Sequence, residues 1–276
     1  MAAVLPVLAA PATAGALTLT GSGSSAAQPY MTALFAAYTK LHKNISFKYI
    51  PDGGNAGVKD VQAGRSEFAI NTRPEEPSDS GTSYTKLFLD AICIDVNSSN
   101  SISNISLTGL KNVFLGTDTS WSQVGGSLSG TIDPQGRNSS AGQYTFFQSA
   151  VLDGATQSSN VSQLTSDGLV ATAIEKDQNA IGYVGLAHSG APGEPVKESG
   201  EKPIEVNGIA CDAATVKSET YPLFRFDWAV LPTSSPSIPV EQFFDWVRTN
   251  STAGQVISEA GAVPAFNAAP PKKKKK

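Results

Sequence analysis

The chain has few of the side chains on which metal and nucleophilic chemistry depend. Its 276 residues include two cysteines, two histidines and two methionines, and only 16% are charged. A metal site needs several Cys or His ligands at short spacing, and Cys93 and Cys211 are far apart. We therefore predict no metal site, no cofactor and no catalytic residue. Cys93 and Cys211 form either a disulfide or two separate buried thiols, and the sequence leaves both open.

Long apolar runs are also missing from the sequence, so no segment is a candidate for a transmembrane helix. Residues 1–16, MAAVLPVLAAPATAGA, combine an apolar run with small residues but contain no Lys or Arg. We interpret them as a truncated signal segment. At the other end, Lys272 to Lys276 follow two prolines, and we predict a disordered Pro/Lys tail at residues 267–276.

The body of the chain is acidic. Five of the 20 basic residues lie in that tail, which leaves 15 basic against 24 acidic residues. An acidic body disfavours nucleic acid as a partner, and an anionic ligand would need a local site whose field outweighs the global one.

Asn-X-Ser/Thr triplets are more frequent than the Ser/Thr content alone would produce. Six asparagines begin such a triplet: Asn44, Asn97, Asn104, Asn138, Asn160 and Asn250. With the N-terminal segment, they indicate a secreted or periplasmic protein that carries glycans. A serine-rich bacterial chain with accidental triplets stays open as the alternative.

Strand-like and helix-like segments alternate along the chain. The run ISFKYI at Ile45–Ile50 alternates as a strand, and KLFLDAICIDVN predicts a long buried strand. The run SLTGLKNVFLG predicts a capped helix, and two amphipathic helices follow near the C-terminus. Such alternation predicts an α/β fold with mostly parallel sheets flanked by helices.

A glycine- and serine-rich turn, Gly21–Ser25, separates the first strand from the first helix. Such a turn directs free N–H groups and hydroxyls to one point at the positive end of a helix dipole, which outlines an anion site. The simpler interpretation is that Ser24 or Ser25 only caps the helix. Similar polar turns lie at residues 52–57, 71–74 and 137–143. Because turns of this kind gather beyond the carboxyl ends of parallel strands, we expect all four to share one crevice.

Seven blocks carry a family resemblance: LTGSGSS, GGNAGVKDVQAGRSEFAINTRP, LDAICIDVNSSNSISNISLTGLKNVFLG, SWSQVGG, AIGYVGLA, YPLFRFDWAV and FFDWVRTNSTAGQVISEAGAVP. In this order and spacing they resemble the phosphate-binding proteins of ABC-type uptake systems, within the type II periplasmic-binding-protein superfamily. The resemblance runs from about Leu17 to Pro264. It implies two α/β lobes that close on an oxyanion, one built from residues 17–90 and 224–266 and the other from residues 91–223.

Ligand positions follow from the resemblance where the motifs align. The implied ligand-binding residues are Ser24, Ser25, Ala26, Asn55, Thr72, Arg137, Gly142 and Gln143. Arg137 would supply positive charge, while helix N-termini and neutral side chains would supply hydrogen bonds. Arg73 either assists Arg137 or pairs with Glu75 or Glu76.

Several of these positions depart from the family pattern. Thr72 stands where some members have a carboxylate that accepts a proton from hydrogen phosphate, so discrimination against sulfate is left open. Asn55, Ala141 and Gln143 replace hydroxyl-bearing residues, and each missing donor to a buried anion costs about 1–3 kcal/mol. Asn138 begins a sequon beside the implied ligand, so either this sequon is unused or the cleft binds no phosphate.

Two functions therefore compete. The first is an extracytoplasmic solute-binding protein, not an enzyme, that captures inorganic phosphate or a related oxyanion and serves an ABC-type permease. The alternative is a secreted, glycosylated surface or filament module that keeps the fold with a degenerate pocket.

Two enzyme interpretations have less support. Gly21–Ala26 matches the dinucleotide fingerprint, but the rest of the chain matches a different architecture. His42 and His188 have no nucleophile motif nearby, and we predict both to be surface histidines.

Overall fold

The computed structural model describes residues 15–190 and 200–265. Its strands are β1 (Leu17–Gly23), β2 (Ile45–Ile50), β3 (Phe68–Asn71), β4 (Thr82–Asn97), β5 (Asn104–Ile105), β6 (Asp133–Arg137), β7 (Ser162–Leu164), β8 (Ala180–Gly185), β9 (Glu201–Val206), β10 (Phe224–Pro232) and β11 (Val263–Pro264). Its helices are α1 (Gln28–Leu41), α2 (Gly54–Gln62), α3 (Leu107–Leu115), α4 (Gly142–Ala150), α5 (Asp167–Lys176), α6 (Ala213–Lys217), α7 (Ile238–Thr249) and α8 (Ser251–Glu259). None of the helices in these two stretches has the length and hydrophobicity needed to cross a bilayer. The tail predicted at residues 267–276 and all but the last two residues of the predicted signal segment lie outside the described residues.

Local sequence signals account for several elements. The alternating run predicted as a strand coincides with β2. The predicted capped helix is α3, where Ser106 Oγ accepts a hydrogen bond from the Gly109 N–H at 3.0 Å. Gly116 ends this helix with a φ of 78°, a left-handed conformation that glycine adopts without strain. The long strand is β4, in which every residue from Leu87 to Asn97 is buried.

One curled sheet runs through the molecule in the order β2-β1-β3-β10-β4-β8-β6-β7. The strands β1, β2 and β3 are parallel to one another, and so are β6, β7 and β8. Between these groups lie β10 and β4, which pair antiparallel. The first part of β4 pairs with β10, and Ile92–Val96 of the same strand pair with β8. The two long strands therefore connect two α/β lobes, and the predicted fold class is confirmed.

Each lobe has its own apolar core. The terminal lobe, with β1–β3, α1, α2, α7 and α8, encloses a core that includes Phe68 and Phe243. The central lobe, with β6–β8 and α3–α6, encloses a core that includes Trp121 and Tyr183. The two cores do not follow the predicted lobe boundaries throughout, because Ala187 packs into the terminal core and Val263 into the central core. The boundaries themselves stay a prediction.

Cys93 and Cys211 form a disulfide, which the sequence had left open. Cys93 lies in the part of β4 that belongs to the central lobe, and Cys211 lies two residues before α6. The bond joins positions 118 residues apart, so it restricts the unfolded chain strongly.

Candidate functional site

The candidate site begins at the turn after β1, which requires a close approach between two strands. Gly23 has a φ of +124°, and a Cβ at this position would lie 2.3 Å from the carbonyl oxygen of Ile70 in β3. Only glycine tolerates both the conformation and the contact. The turn then delivers Ser24 and Ser25 to the start of α1.

Three predicted site residues in this turn have different surroundings. Ser24 Oγ accepts a hydrogen bond at 3.2 Å from a backbone N–H three residues later, so Ser24 caps the turn. Ser25 Oγ instead donates to Asp167 Oδ2, in the other lobe, at 2.8 Å. Ala26 is fully buried against β8, where a Cβ on Gly185 would lie 2.8 Å from the Ala26 Cβ. Ser24 closes the turn but does not cap the helix, because the N-cap of α1 is Ala27 and no side chain caps it. The capping interpretation is therefore wrong for both serines, and Ser25 faces the cleft.

Arg137, at the end of β6, is only 1% exposed, and its guanidinium is almost fully occupied within its own lobe. Nε donates to the carbonyl of Leu164 at 3.3 Å, and Nη2 donates to that of Thr165 at 2.9 Å. Nη1 donates to Gln143 Oε1 at 2.8 Å and also to the carboxylate of Asp167, with which Arg137 forms an ion pair. Because a guanidinium has five N–H groups, at most one remains for a ligand.

Asp167, the first residue of α5, is completely buried between the lobes. Its Oδ2 accepts from Ser25 and Arg137, and its Oδ1 accepts from the Gly185 N–H at 2.9 Å. Burial alone would raise the pKa of this carboxyl, but the neighbouring Arg137 and His188 and the hydrogen bonds it accepts lower it to about 2. Asp167 therefore carries a negative charge into the centre of the candidate site.

The N-termini of α2 and α4 face each other at hydrogen-bonding distance. The Asn55 N–H donates to the carbonyl of Ser140 at 2.9 Å, and the next N–H of α2 donates to the same oxygen at 3.2 Å. Asn55 Nδ2 lies within reach of three acceptors of the central lobe: Ser139 O at 3.1 Å, Ala141 O at 3.2 Å and Thr145 Oγ1 at 2.9 Å. These contacts hold the lobes together directly. The α2 N-terminus, which the resemblance assigns to a ligand, is occupied by protein acceptors.

Two buried polar atoms beside α4 lack a hydrogen-bond partner in the described part of the chain, Thr72 Oγ1 and Gln143 Nε2. Both residues are 1% exposed. The Thr72 hydroxyl lies against Gly142, where a Cβ would be 2.9 Å from Oγ1 and only 2.1 Å from Asn71 Oδ1. The first N–H groups of α4 have no acceptor within their own helix. One unsatisfied donor from each lobe therefore belongs to a residue in or beside the first turn of α4, at the positive end of the helix dipole.

The base of the cleft holds a buried guanidinium and two buried carboxylates on the crossing strands. Arg225 Nη2 of β10 donates to Asp90 Oδ2 of β4 at 2.7 Å. Asp90 Oδ1 also accepts from the Tyr30 hydroxyl at 3.3 Å. Asp227 is fully buried, and neither of its carboxyl oxygens has a hydrogen-bond partner within the described ranges. Burial, and then the charge of Asp90, raise the pKa of Asp227 well above its ordinary value, which favours its protonated form.

Five of the eight predicted residues meet at one place: Ser25, Thr72, Arg137, Gly142 and Gln143. Asn55 borders them and joins the lobes, Ser24 caps the turn, and Ala26 packs against β8. Side chains from separate turns therefore meet at one buried place. Their role as ligand donors stays a prediction.

Sequence analysis did not identify Asp167, the residue that connects Ser25 to Arg137. A signal for it exists, because Ser-Asp-Gly precedes apolar residues at helical spacing and marks the start of a helix. In the structure Ser166 Oγ accepts from the Leu169 N–H at 3.3 Å and caps α5. The pairing with Ser25, 142 residues away, has no local signal.

Two other side chains differ from or extend the predictions. His188 is not a surface histidine, because it is half-buried at the site with Nε2 at 3.1 Å from the Ser25 carbonyl oxygen. Arg73 forms the expected contact with Glu76 at 3.6 Å, and it makes a shorter ion pair with Asp79 at 2.6 Å. Within residues 15–190 and 200–265, no three His, Cys, Asp or Glu side chains cluster in a way that could hold a metal ion.

The sequon asparagines differ in accessibility. Asn44, Asn104 and Asn160 are exposed, whereas Asn138 and Asn250 are half-buried. Asn97 is buried, and its Nδ2, the atom that would carry a glycan, donates to the carbonyls of Ile174 and Glu175 at 2.9 and 2.8 Å. The folded protein does not offer Asn97 for glycosylation, so the prediction at this position needs correction.

Comparisons with known proteins agree with this architecture. The phosphate-binding protein PstS of Staphylococcus epidermidis is 26% identical over 257 residues, which cover 88% of this chain and 77% of that protein. PstS of Bacillus subtilis is 21% identical over 251 residues, which cover 90% of this chain and 80% of that protein. The fold is also similar to a solved structure from Clostridium perfringens, described as a phosphate ABC transporter substrate-binding protein with bound phosphate. The two chains superpose with a TM-score of 0.82 and are 20% identical, and the match covers 90% of this chain and 99% of that one. The sequence model of the PBP superfamily domain matches residues 9–251, and the chain belongs to that family.

Proposed function

We propose that this protein is an extracytoplasmic solute-binding protein that captures inorganic phosphate or a related oxyanion between its two lobes. One observation carries the proposal: two buried donors beside the N-terminus of α4, Thr72 Oγ1 and Gln143 Nε2, have no hydrogen-bond partner among the described residues. A buried donor without a partner costs about 1–3 kcal/mol, and an oxyanion between them would remove that cost.

The donors of the site favour an anion. The N-terminus of α4 attracts negative charge, and Arg137 lies on the other side of Gln143. Ser25 adds a hydroxyl from the terminal lobe. Tetrahedral oxyanions have acceptor oxygens in every direction and can use donors that arrive from different turns. The relatives named as phosphate-binding proteins support phosphate as the first candidate.

The same proposal has three further parts. The protein acts outside the cytoplasm, it delivers its ligand to an ABC-type permease, and it catalyses no reaction. The disulfide favours an oxidising compartment. The relatives are named as binding proteins, and they give the alternative of a structural surface module no support.

Titration calorimetry with phosphate, arsenate and sulfate tests the proposal. We expect wild-type protein to bind phosphate. Thr72→Val and Gln143→Leu each remove one of the unpartnered donors, so each should raise Kd by roughly 5- to 150-fold, equivalent to about 1–3 kcal/mol. Thr172→Val is the control, because this half-buried hydroxyl on α5 donates to its own helix, to the Gly168 carbonyl at 2.7 Å. No heat with any of the three anions, on a cooperatively folding sample, would contradict the proposal.

A further inference from the structure

A carboxylate of the protein already occupies the centre of the anion site. Asp167 Oδ2 lies between Ser25 Oγ of the terminal lobe and Arg137 Nη1 of the central lobe. Its other oxygen accepts from the Gly185 N–H. A carboxylate is itself an oxyanion, and it uses the hydroxyl and the guanidinium that an external anion would need.

These donors have little capacity left while Asp167 is in place. A serine hydroxyl has one hydrogen, and Ser25 directs it at Asp167. Arg137 keeps at most one free N–H, and its charge is already balanced by a buried carboxylate. An external anion of full charge would meet a negative neighbour in a site of low dielectric, where repulsion between like charges is strong.

The same contact links the two lobes. Ser25 and Asp167 bridge the cleft at its base, and Asn55 bridges it at α4. His188 adds a third contact, to the Ser25 carbonyl. The protein's own side chains therefore join the lobes at three places.

We propose that Asp167 is an internal ligand of this site, which closes the lobes through Ser25 and which an incoming oxyanion must displace from Ser25 and Arg137. This inference rests on the proposed function and deepens it. Asp167 then sets the affinity for every oxyanion, because each binds only in exchange for the carboxylate.

Asp167→Asn tests this exchange with inorganic phosphate and sulfate as probes. The amide keeps an oxygen for the Gly185 N–H but removes the charge, so Arg137 is left without its counter-ion. We expect the Kd for both anions to fall about tenfold or more relative to wild type, since a charge-assisted hydrogen bond becomes free for the ligand. Asp177→Asn is the matched control, because it makes the same charge change at the other end of α5, where the carboxylate accepts from the Asn179 N–H. It should leave both Kd values unchanged.

A second variant keeps the test decisive if the asparagine variant folds poorly. Asp167→Ala removes the whole carboxylate, and formate is small enough to replace it. We expect formate to raise the thermal unfolding temperature of Asp167→Ala in a saturable way, with no such effect on wild type or Asp177→Ala. An Asp167→Ala protein that neither formate, phosphate nor sulfate stabilises would overturn the inference.

The outcomes separate this inference from the proposed function. If wild type binds phosphate and a folded Asp167→Asn protein binds it no more tightly, the internal-ligand role is wrong and the proposed function stands. If only the variant binds phosphate, the internal ligand stands and the proposed function is wrong for the native chain.

Discussion

Arg225 and Asp90 stand opposite each other on the two strands that join the lobes, and they form an ion pair that water does not reach. Their Cα atoms are register partners in the ladder between β10 and β4, and Nη2 lies 2.7 Å from Oδ2. The side chains are 1% and 0% exposed. A charge buried this deeply is tolerated only while its partner is present.

Removing one partner should therefore be costly. We expect Arg225→Met to lower the free energy of unfolding by about 3–5 kcal/mol, because it leaves Asp90 charged and buried. Urea denaturation measures the loss. The double variant Asp90→Asn/Arg225→Met should recover part of it, since neither charge then remains. If the free energy of unfolding of Arg225→Met lies within about 1 kcal/mol of the wild-type value, the ion pair does not stabilise the pairing of β10 with β4.

Asn55 should control how tightly the lobes close. Asn55→Ala removes the amide that faces three acceptors of the central lobe, so we expect a larger radius of gyration in small-angle scattering and a stability loss of about 1–3 kcal/mol. Gln62→Ala is the control, because the Gln62 amide also donates to two carbonyls, Ser78 O and Ser80 O, but within the terminal lobe. Identical scattering from the two variants and wild type would contradict a closing role for Asn55.

The disulfide should stabilise the central lobe measurably. Replacing Cys93 and Cys211 by alanine should cost about 2–5 kcal/mol, because the long loop between them is no longer restricted in the unfolded chain. Urea unfolding gives the difference. Thiol titration of the native protein should detect no free thiol, and two titratable thiols would disprove the bond.

Stability should depend on pH through Asp95 of the central lobe. Burial raises the pKa of Asp95 to about 7, although it accepts hydrogen bonds from the Gly190 N–H and the Ser189 hydroxyl. The folded protein therefore holds a proton on this group that the unfolded chain releases near pH 4. Stability should fall as pH rises from about 4 to about 7.

Urea unfolding at about pH 5 and about pH 8 measures this dependence. The side chain of Asp95→Asn does not titrate, so the free energy of unfolding of this variant should change less between the two pH values. At the higher pH the variant should be more stable relative to wild type than at the lower pH. If the free energy of unfolding changes equally with pH in wild type and Asp95→Asn, Asp95 is ionised at both pH values.

Glycan occupancy should follow accessibility. In protein secreted from a glycosylating host, mass spectrometry should detect glycans at the exposed Asn44, Asn104 and Asn160 and none at Asn97. Glycosylated Asn97 in folded protein would require the edge of β4 and the end of α5 to separate, because Asn97 Nδ2 joins them.

Periodicity and capping predicted the elements whose signals are local. β2 and α3 formed where expected because alternation, a serine N-cap and a glycine end act within a few residues. The strand β6 has no local signal of its own, since Asp-Pro-Gln-Gly-Arg lacks apolar alternation and becomes a strand only by pairing with β7 and β8. Tertiary pairing overrides weak local propensity at such places.

The sequence predicted which residues lie in the candidate site, but not which of their atoms form hydrogen bonds and ion pairs with one another. The turns that carry Ser25, Thr72 and Arg137 could be placed in one crevice because strand ends gather there. Which atoms pair within it depends on the distance between turns, and no pattern of residues encodes that Arg137 is balanced by Asp167 or that Asn55 lies against Ser140. Those contacts arise only when the two lobes are assembled.

Because β4 belongs to both lobes, they are coupled by a paired ribbon and not by a free linker. Relative rotation of the lobes must be absorbed as torsion along that ribbon. Its ladder slips at Asp227 and Trp228, where the register of β10 against β4 shifts. A slip of this kind increases local twist and interrupts regular pairing, so bending concentrates there, directly beside the buried charges of the crossing.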